Sequence, residues 1–171
     1  MADLELLIRR LIEHQVEFVL MGGMAAVAHG VTLVTRDVDV CCRFELENLQ
    51  RLHRAVADLH PVHRATTPRL PWELAGDSWR SLKDLYLSTD AGTLDCLGRI
   101  EGLGDFAEVL RWAVPIRLWG RDCHILSIDG LIKSKQSLSR TQDKLAILQL
   151  QAIKERTQGR ANSGTTGKPP A

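Results

Sequence analysis

The sequence predicts an α/β domain, in which helices pack against a mixed β-sheet, because apolar residues recur at both helical and strand spacings. The helical period is clearest near the N-terminus, and short apolar runs bounded by turn residues follow in the middle of the chain. With 171 residues, 44% hydrophobic and 25% charged, the chain can bury a core without disulfides or a structural metal. We expect one domain over residues 1–157 and a disordered tail over 158–171, which lacks core residues.

The first helix is predicted where five apolar residues match the i, i+3, i+4, i+7, i+8 pattern: Leu4, Leu7, Ile8, Leu11 and Ile12. Charged residues interrupt this stretch, so we expect no signal peptide, no membrane span and a cytoplasmic protein. A short strand at 18–21 and a second amphipathic helix over 44–59 follow. Three prolines then predict an irregular segment from 60 to 80, which we expect near the substrate.

The second half of the chain predicts further strands and helices. Strands at 85–89 and 93–97, joined by Asp90-Ala91-Gly92, form a predicted hairpin. A Gly-rich link over 98–104, a short helix over 105–112 and strands near 114–118 and 123–127 come next. The last predicted elements are a helix over 128–138 and another, begun by a capping box at Ser139 and Gln142, that runs to about Arg156.

Gly22 and Gly23 lie between the strand at 18–21 and residues that favour a helix from Ala25 onward. Backbone N–H groups at a helix N-terminus can hold a phosphate, and glycine lets the phosphate approach the backbone. The alternative interpretation is an ordinary turn.

Asp37 and Asp39 are two residues apart in an apolar run, so a strand would point both carboxylates to one face, roughly 6.5 Å apart. Two like charges there would repel and raise one pKa unless a divalent cation bound between them. The alternative is a solvated strand end. Asp95 is a lone acid among apolar strand residues and needs a partner, whereas Asp90 in the turn is expected at the surface.

The cysteines and several histidines are candidates for metal binding, but their spacing argues against it. Cys41, Cys42, Cys96 and Cys123 form no C-x-x-C pair, and we interpret them as small buried residues. For His53, His60 and His63 we favour surface positions, since no fourth ligand is suggested by spacing.

The block GG-x-A-x-x-x-HG at 22–30, followed by T-x-D-x-D at 35–39, resembles the nucleotidyltransferase superfamily in its AbiEii-like, minimal-nucleotidyltransferase branch. It is similar, more distantly, to aminoglycoside and lincosamide nucleotidyltransferases. Lys135, Arg140 and Asp143 look like the K-x-x-x-x-R-x-x-D signature that closes the AbiEii-like catalytic domain. The resemblance covers residues from about 16 to 153. Leu33 and Ala146 stand where members often carry Arg and Asp.

The resemblance implies a polymerase beta-like fold and transfer of a nucleoside monophosphate from an NTP to an acceptor hydroxyl, with pyrophosphate leaving. It implies that Asp37, Asp39 and Asp95 are catalytic and bind two Mg²⁺ or Mn²⁺ ions. Asp95 would also accept the acceptor's proton. Nucleotide binding would fall to Gly22, Gly23, Thr35, Lys135, Arg140 and Asp143.

The sequence leaves the acceptor open: an RNA end such as that of tRNA, a protein or a small molecule. One hypothesis is the toxin of a toxin–antitoxin system, with an antitoxin as partner. The alternatives are a catalytically weak domain that binds a nucleotide or a partner, and an antibiotic nucleotidyltransferase.

Charge is concentrated at the C-terminus, where residues 133–171 carry eight Lys and Arg against two acids in a chain of net charge +1. A basic face there would attract a triphosphate or an RNA end. We assign this role to Lys135. Lys154, Arg156, Arg160 and Lys168 are interpreted as a solvated surface.

Overall fold

A mixed β-sheet forms the centre of the computed structural model, which describes residues 2–138 and 141–163. The helices are α1 Leu4–Glu13, α2 Gly22–Ala28, α3 Leu46–Val56, α4 Phe106–Arg111, α5 Ile128–Leu138 and α6 Thr141–Ser163. The strands are β1 Phe18–Met21, β2 Asp37–Cys42, β3 Val62–His63, β4 Asp84–Thr89, β5 Gly92–Leu97, β6 Arg99–Ile100, β7 Gly104–Asp105, β8 Ala113–Leu118 and β9 Arg121–Leu126.

Seven of these strands form one sheet in the order β3-β4-β5-β2-β1-β9-β8, and β6 pairs with β7 in a small second sheet. Strand β2 lies at the centre, antiparallel to β1 and parallel to β5. Strands β4 and β5 form the antiparallel hairpin that the sequence predicts. The predicted α/β class, a mixed sheet with helices packed against it, is confirmed.

The helices cover the sheet with the apolar residues that the periodicity identifies. Helix α1 buries Leu7, Ile8 and Leu11, and its N-terminus is capped by Asp3, whose side chain accepts a hydrogen bond from the Leu6 N–H at 2.9 Å. Burying each such side chain stabilises the fold by about 1.5–3 kcal/mol. Helix α1 packs on α3 as well as on β2 and β5, and α5 packs on α6 and α2. These contacts hold both central strands in place.

Several predicted boundaries differ from the structure. Helix α3 ends at Val56 and continues as a 3₁₀ turn over Ala57–Leu59, and the segment predicted to be irregular contains β3 and a 3₁₀ turn at Ser78–Ser81. Pairing with β4 gives β3 its order, a non-local effect that local sequence does not report. The Gly-rich link forms the β6 and β7 pair.

The end of the last helix also differs from the prediction. Helix α6 runs to Ser163 instead of about Arg156, so the predicted tail boundary at 158 falls within it. Residues 164–171 lie outside the part of the chain that the structure describes, as do Ser139 and Arg140. The disordered tail therefore stays a prediction.

The four cysteines are free and buried, as predicted. Helices and strands cover both sides of the sheet at Cys41 and Cys42, whose exposed fractions are 0% and 1%. Within the described ranges, no helix combines the length and apolar character needed to cross a membrane.

Candidate active site

Three carboxylates meet on one side of the two central strands. Asp37 and Asp39 lie on the same side of β2, and the parallel register places Asp39 directly opposite Asp95 on β5. One ligand oxygen from each residue lies within 4.8 Å of those of the other two. Over residues 2–138 and 141–163 this is the one group of three or more His, Cys, Asp or Glu side chains arranged to hold a metal ion. The same-face prediction for Asp37 and Asp39 is confirmed.

Strand alternation explains how β2 carries these charges. Val38 and Val40 point into the core and are fully buried, while Asp37 and Asp39 between them remain partly exposed on the opposite side. The apolar residues therefore anchor the strand that displays the acids.

The glycine pair lies against the carboxylates. A Cβ at Gly22 would come within 2.0 Å of Oδ2 of Asp39, and Gly22 has a φ of +61°. A Cβ at Gly23 would lie 2.6 Å from Oγ1 of Thr35, which donates a hydrogen bond to Oδ1 of Asp37 at 3.1 Å. Helix α2 begins at Gly22 itself, earlier than the predicted start near Ala25. The pair thus makes room for Asp39 and Thr35.

Burial, with a smaller contribution from neighbouring acids, raises the pKa of two of the acids. Burial, followed by repulsion from Asp37 and Asp95, raises the pKa of Asp39 to about 6, against weaker opposition from Lys135 and the Gly23 N–H. Burial also raises the pKa of Asp95, although Arg64 opposes the shift. A cation bound beside these carboxylates would oppose both shifts in pKa.

Arg64 is a site residue that the sequence does not identify. It directly follows β3 in the 60–80 segment, and its guanidinium Nη2 donates to both oxygens of Asp95. Its backbone N–H donates to the carbonyl oxygen of Tyr86 at 2.8 Å. Arg64 belongs to no sequence motif and to no hydrophobic periodicity. Only the prediction that the 60–80 segment lies near the substrate points toward a role for it in the site.

Lys135 and Asp143 meet next to the carboxylates. The Lys135 Nζ lies 2.7 Å from Oδ1 of Asp143, and both side chains are largely buried, with 16% and 10% exposed. The second oxygen of Asp143 is buried without a hydrogen-bond partner among the described residues. Arg140, predicted to bind nucleotide with them, lies outside the described residues.

Two residues of interest in the sequence lie apart from the carboxylates. The ring Nε2 of His29, in the His-Gly pair, bonds the carbonyl oxygen of Leu126 at 2.9 Å and ties the end of α2 to the end of β9. Asp90 lies in the hairpin turn and contacts Nδ1 of the exposed His60 at 2.6 Å. Asp95, not Asp90, is the hairpin acid that joins the cluster.

The carboxylates open into a cleft of about 630 Å³. Gly22, Gly23, Lys135 and Asp143 line it, together with residues that the sequence does not single out: Asp84, Tyr86, Arg99 and Glu101. Among the described residues of this lining, acids outnumber bases by six to two, the bases being Arg99 and Lys135. The cleft is large enough for a small-molecule ligand.

No family model and no curated protein matches the sequence. Several solved structures share the fold. TM1012 of Thermotoga maritima, a protein assigned as a nucleotidyltransferase, is 16% identical with a TM-score of 0.54, over 87% of this chain and 94% of that one. ANT(2'')-Ia in complex with adenylyl-2''-tobramycin is 15% identical with a TM-score of 0.54, over 92% and 96%.

The solution structure of the antibiotic-resistance factor ANT(2'')-Ia is 14% identical with a TM-score of 0.56, over 94% of this chain and 91% of that one. The chain therefore has the nucleotidyltransferase fold. At these identities the likeness establishes the fold alone, and the structures do not single out the AbiEii-like branch.

Proposed function

We propose that this protein is a metal-dependent nucleotidyltransferase, which transfers a nucleoside monophosphate from an NTP to an acceptor hydroxyl with release of pyrophosphate. The observation that supports this proposal best is the group of Asp37, Asp39 and Asp95, whose ligand oxygens lie within 4.8 Å of one another at the cleft. It occurs in a chain with the nucleotidyltransferase fold.

The carboxylates suit Mg²⁺ or Mn²⁺, since both prefer oxygen ligands and a divalent cation relieves the repulsion that raises the pKa of Asp39. Asp37, Asp39 and Asp95 would hold such ions, which supply charge stabilisation at the reacting phosphate when bound. The deep position of Asp39 against Gly22 orients its carboxylate before any ligand arrives.

The remaining residues would act on the substrates. Lys135 is a fixed, largely buried cation beside the cluster and would neutralise charge on the triphosphate. Gly22 and Gly23 would let the phosphates approach the backbone, and Thr35 would orient Asp37 through its hydroxyl. Asp95 would accept the proton of the attacking hydroxyl, a task that its raised pKa favours. Arg140 and Asp143 complete the proposed nucleotide site.

The charge of the cleft favours one class of acceptor. Besides the three proposed metal ligands, the described lining carries Asp84 and Glu101, and these acids would attract a cationic small molecule more strongly than the phosphate backbone of an RNA end. ANT(2'')-Ia, seen with adenylyl-2''-tobramycin, has the same fold. We therefore place an amine-bearing small molecule first among acceptors, ahead of RNA, a protein, or a toxin role with an antitoxin partner.

A matched pair of variants in the β4–β5 hairpin tests the proposal. Each of four α-labelled NTPs is incubated with Mg²⁺ and an aminoglycoside, total RNA or protein, and label transfer is measured for wild type, Asp95→Asn and Asp90→Asn. We expect Asp95→Asn to reduce transfer by about 10²–10⁴, the usual effect of losing a positioned base. Asp90→Asn, in the turn outside the cleft, should stay within about threefold of wild type.

Circular dichroism would verify that both variants fold. Transfer by Asp95→Asn at the wild-type rate would assign Asp95 a structural role. A wild-type protein that binds NTP but labels no acceptor would favour the alternative of a catalytically weak binding domain.

A further inference from the structure

Arg64 contacts Asp95, the carboxylate that β5 contributes to the group of Asp37, Asp39 and Asp95. Its Nη2 donates to Oδ1 of Asp95 and, at 2.5 Å, to Oδ2. One of these oxygens also belongs to the group within 4.8 Å of the oxygens of Asp37 and Asp39. An ion that binds all three acids must therefore take an oxygen that the guanidinium already contacts.

The two partners differ in how firmly they are held. The Asp95 side chain is 14% exposed and projects from a central strand, whereas the Arg64 side chain is 38% exposed. The Arg64 backbone is fixed by its hydrogen bond to Tyr86, and its guanidinium lies 5.8 Å from the centre of the Tyr86 ring. The arginine side chain can thus move toward solvent while its backbone and Asp95 remain in place.

We propose that Arg64 is a positioning residue that holds Asp95 in the metal-free protein and competes with the metal ion for its carboxylate. This inference rests on the proposed metal site. Arg64 places one positive charge beside three negative ones, so it lowers the attraction of the cluster for a second cation. Metal affinity in the free enzyme is then set by a residue that is not itself a ligand.

Mn²⁺ binding without nucleotide tests this competition independently of catalysis. The free ion is measured by electron paramagnetic resonance at pH 8. We expect Arg64→Ala to bind Mn²⁺ about tenfold more tightly than wild type. This is roughly the effect of removing one charge-assisted hydrogen bond, reduced because the Arg64 side chain is partly exposed to solvent. Arg64→Lys keeps the charge and should lie nearer to wild type.

Arg80→Ala is the matched control, because Arg80 belongs to the same region of the chain and makes the same kinds of contact. It pairs with Asp77 at 3.1 Å and lies 4.8 Å from the centre of the Trp79 ring, so its acidic partner is not one of the three clustered carboxylates. Its loss should leave Mn²⁺ affinity unchanged. If Arg64→Ala fails to fold, Arg64→Gln removes the same charge and keeps the chain length.

A double variant tests whether Arg64 affects Mn²⁺ binding through Asp95. In an Asp95→Asn background the gain in Mn²⁺ binding from Arg64→Ala should shrink to the small effect of its charge on Asp37 and Asp39, and a full tenfold gain there would overturn the inference. Equal or weaker binding by Arg64→Ala in the otherwise wild-type protein would overturn it as well, while leaving the proposed metal site intact. Absence of Mn²⁺ binding in both wild type and Arg64→Ala would overturn the inference and the metal site together.

Discussion

At the scale of single residues, Gly22 has two roles in one position. The sequence identifies it as a glycine at the end of a strand, suited to close approach by a phosphate. The structure adds that its missing side chain leaves the space occupied by the Asp39 carboxylate, 2.0 Å from where a Cβ would lie. The proposed nucleotide loop and the proposed metal ligand Asp39 therefore depend on the same glycine.

Substitution of Gly22 by alanine should disrupt the metal site. The new Cβ would displace Asp39 and also strain the backbone at a φ of +61°. Gly76→Ala is the control, since Gly76 has a φ of +55° with nothing within 4 Å of the added Cβ. Urea unfolding should report a loss of about 1–2 kcal/mol for the control and more for Gly22→Ala. Only Gly22→Ala should lose Mn²⁺ binding, and retention of wild-type affinity would contradict this assignment.

The raised pKa of Asp39 predicts a pH-dependent stability in the metal-free protein. Its pKa is about 6 in the folded state against 3.8 in the unfolded one, so the folded state binds the proton more tightly. Stability should therefore fall as pH rises from about 3.8 to 6 and remain lower above that range.

Asp39→Asn should remove this loss. With EDTA at pH 8 the variant should be more stable than wild type by roughly 1–3 kcal/mol, after allowance for partial exposure, and near pH 4 the gain should vanish. Urea unfolding at the two pH values measures the difference. A variant less stable than wild type at pH 8 without metal would show that the ionised carboxylate stabilises the fold.

At the scale of elements, α5 and α6 hold the cleft residue Lys135 in place. Lys135 on α5 is paired with Asp143 on α6, and its neighbour Leu131 is buried in the core. Lys144, on the first turns of α6, is exposed. Lys135 and Lys144 therefore differ in burial and in whether they line the cleft, although both lie in the same basic part of the sequence.

Lys135→Ala should therefore weaken NTP binding, whereas Lys144→Ala and truncation after Gln158 should not. A fixed and desolvated charge acts at full strength on a triphosphate, while exposed charges are screened over about 8 Å at physiological salt. NTP affinity of the three variants at two salt concentrations measures this difference. A truncation as harmful as Lys135→Ala would make the C-terminal residues part of the site.

Helices and strands with a clear hydrophobic periodicity could be predicted from the sequence. So could the face of a strand on which a side chain lies, because side chains alternate between the two faces. Asp37 and Asp39 share a face because strand geometry is local. The pairing of Asp39 with Asp95 depends on which strands become neighbours, and the sequence points to Asp95 only through the family resemblance. Arg64 could not be predicted, since its segment has no period and its partner lies on another strand.

At the scale of the whole molecule, metal binding should couple to global stability. The proposed ligands come from β2 and β5 in the centre of the sheet, so an ion bound there would stabilise the folded state. At a hundredfold excess over Kd the gain is about 2.7 kcal/mol, or roughly 5–10 °C in melting temperature for a chain of this size.

Thermal scans with millimolar Mg²⁺ or Mn²⁺, with and without NTP, measure this rise. Asp37→Asn should abolish most of it, because one of the three ligands loses its charge. A melting temperature that does not respond to either ion would count strongly against a metal site in this cleft.

The register that sets Asp39 opposite Asp95 also constrains how the molecule assembles. Parallel strands distant in sequence pair only after a long loop closes, and such contacts form slowly during folding. An intermediate that has formed α1 and α3 but not the β2–β5 pair has no complete ligand set. On the ribosome, the ligand set stays incomplete until β5 has emerged. An ion that needs all three carboxylates can therefore be retained only by chains whose central sheet is complete.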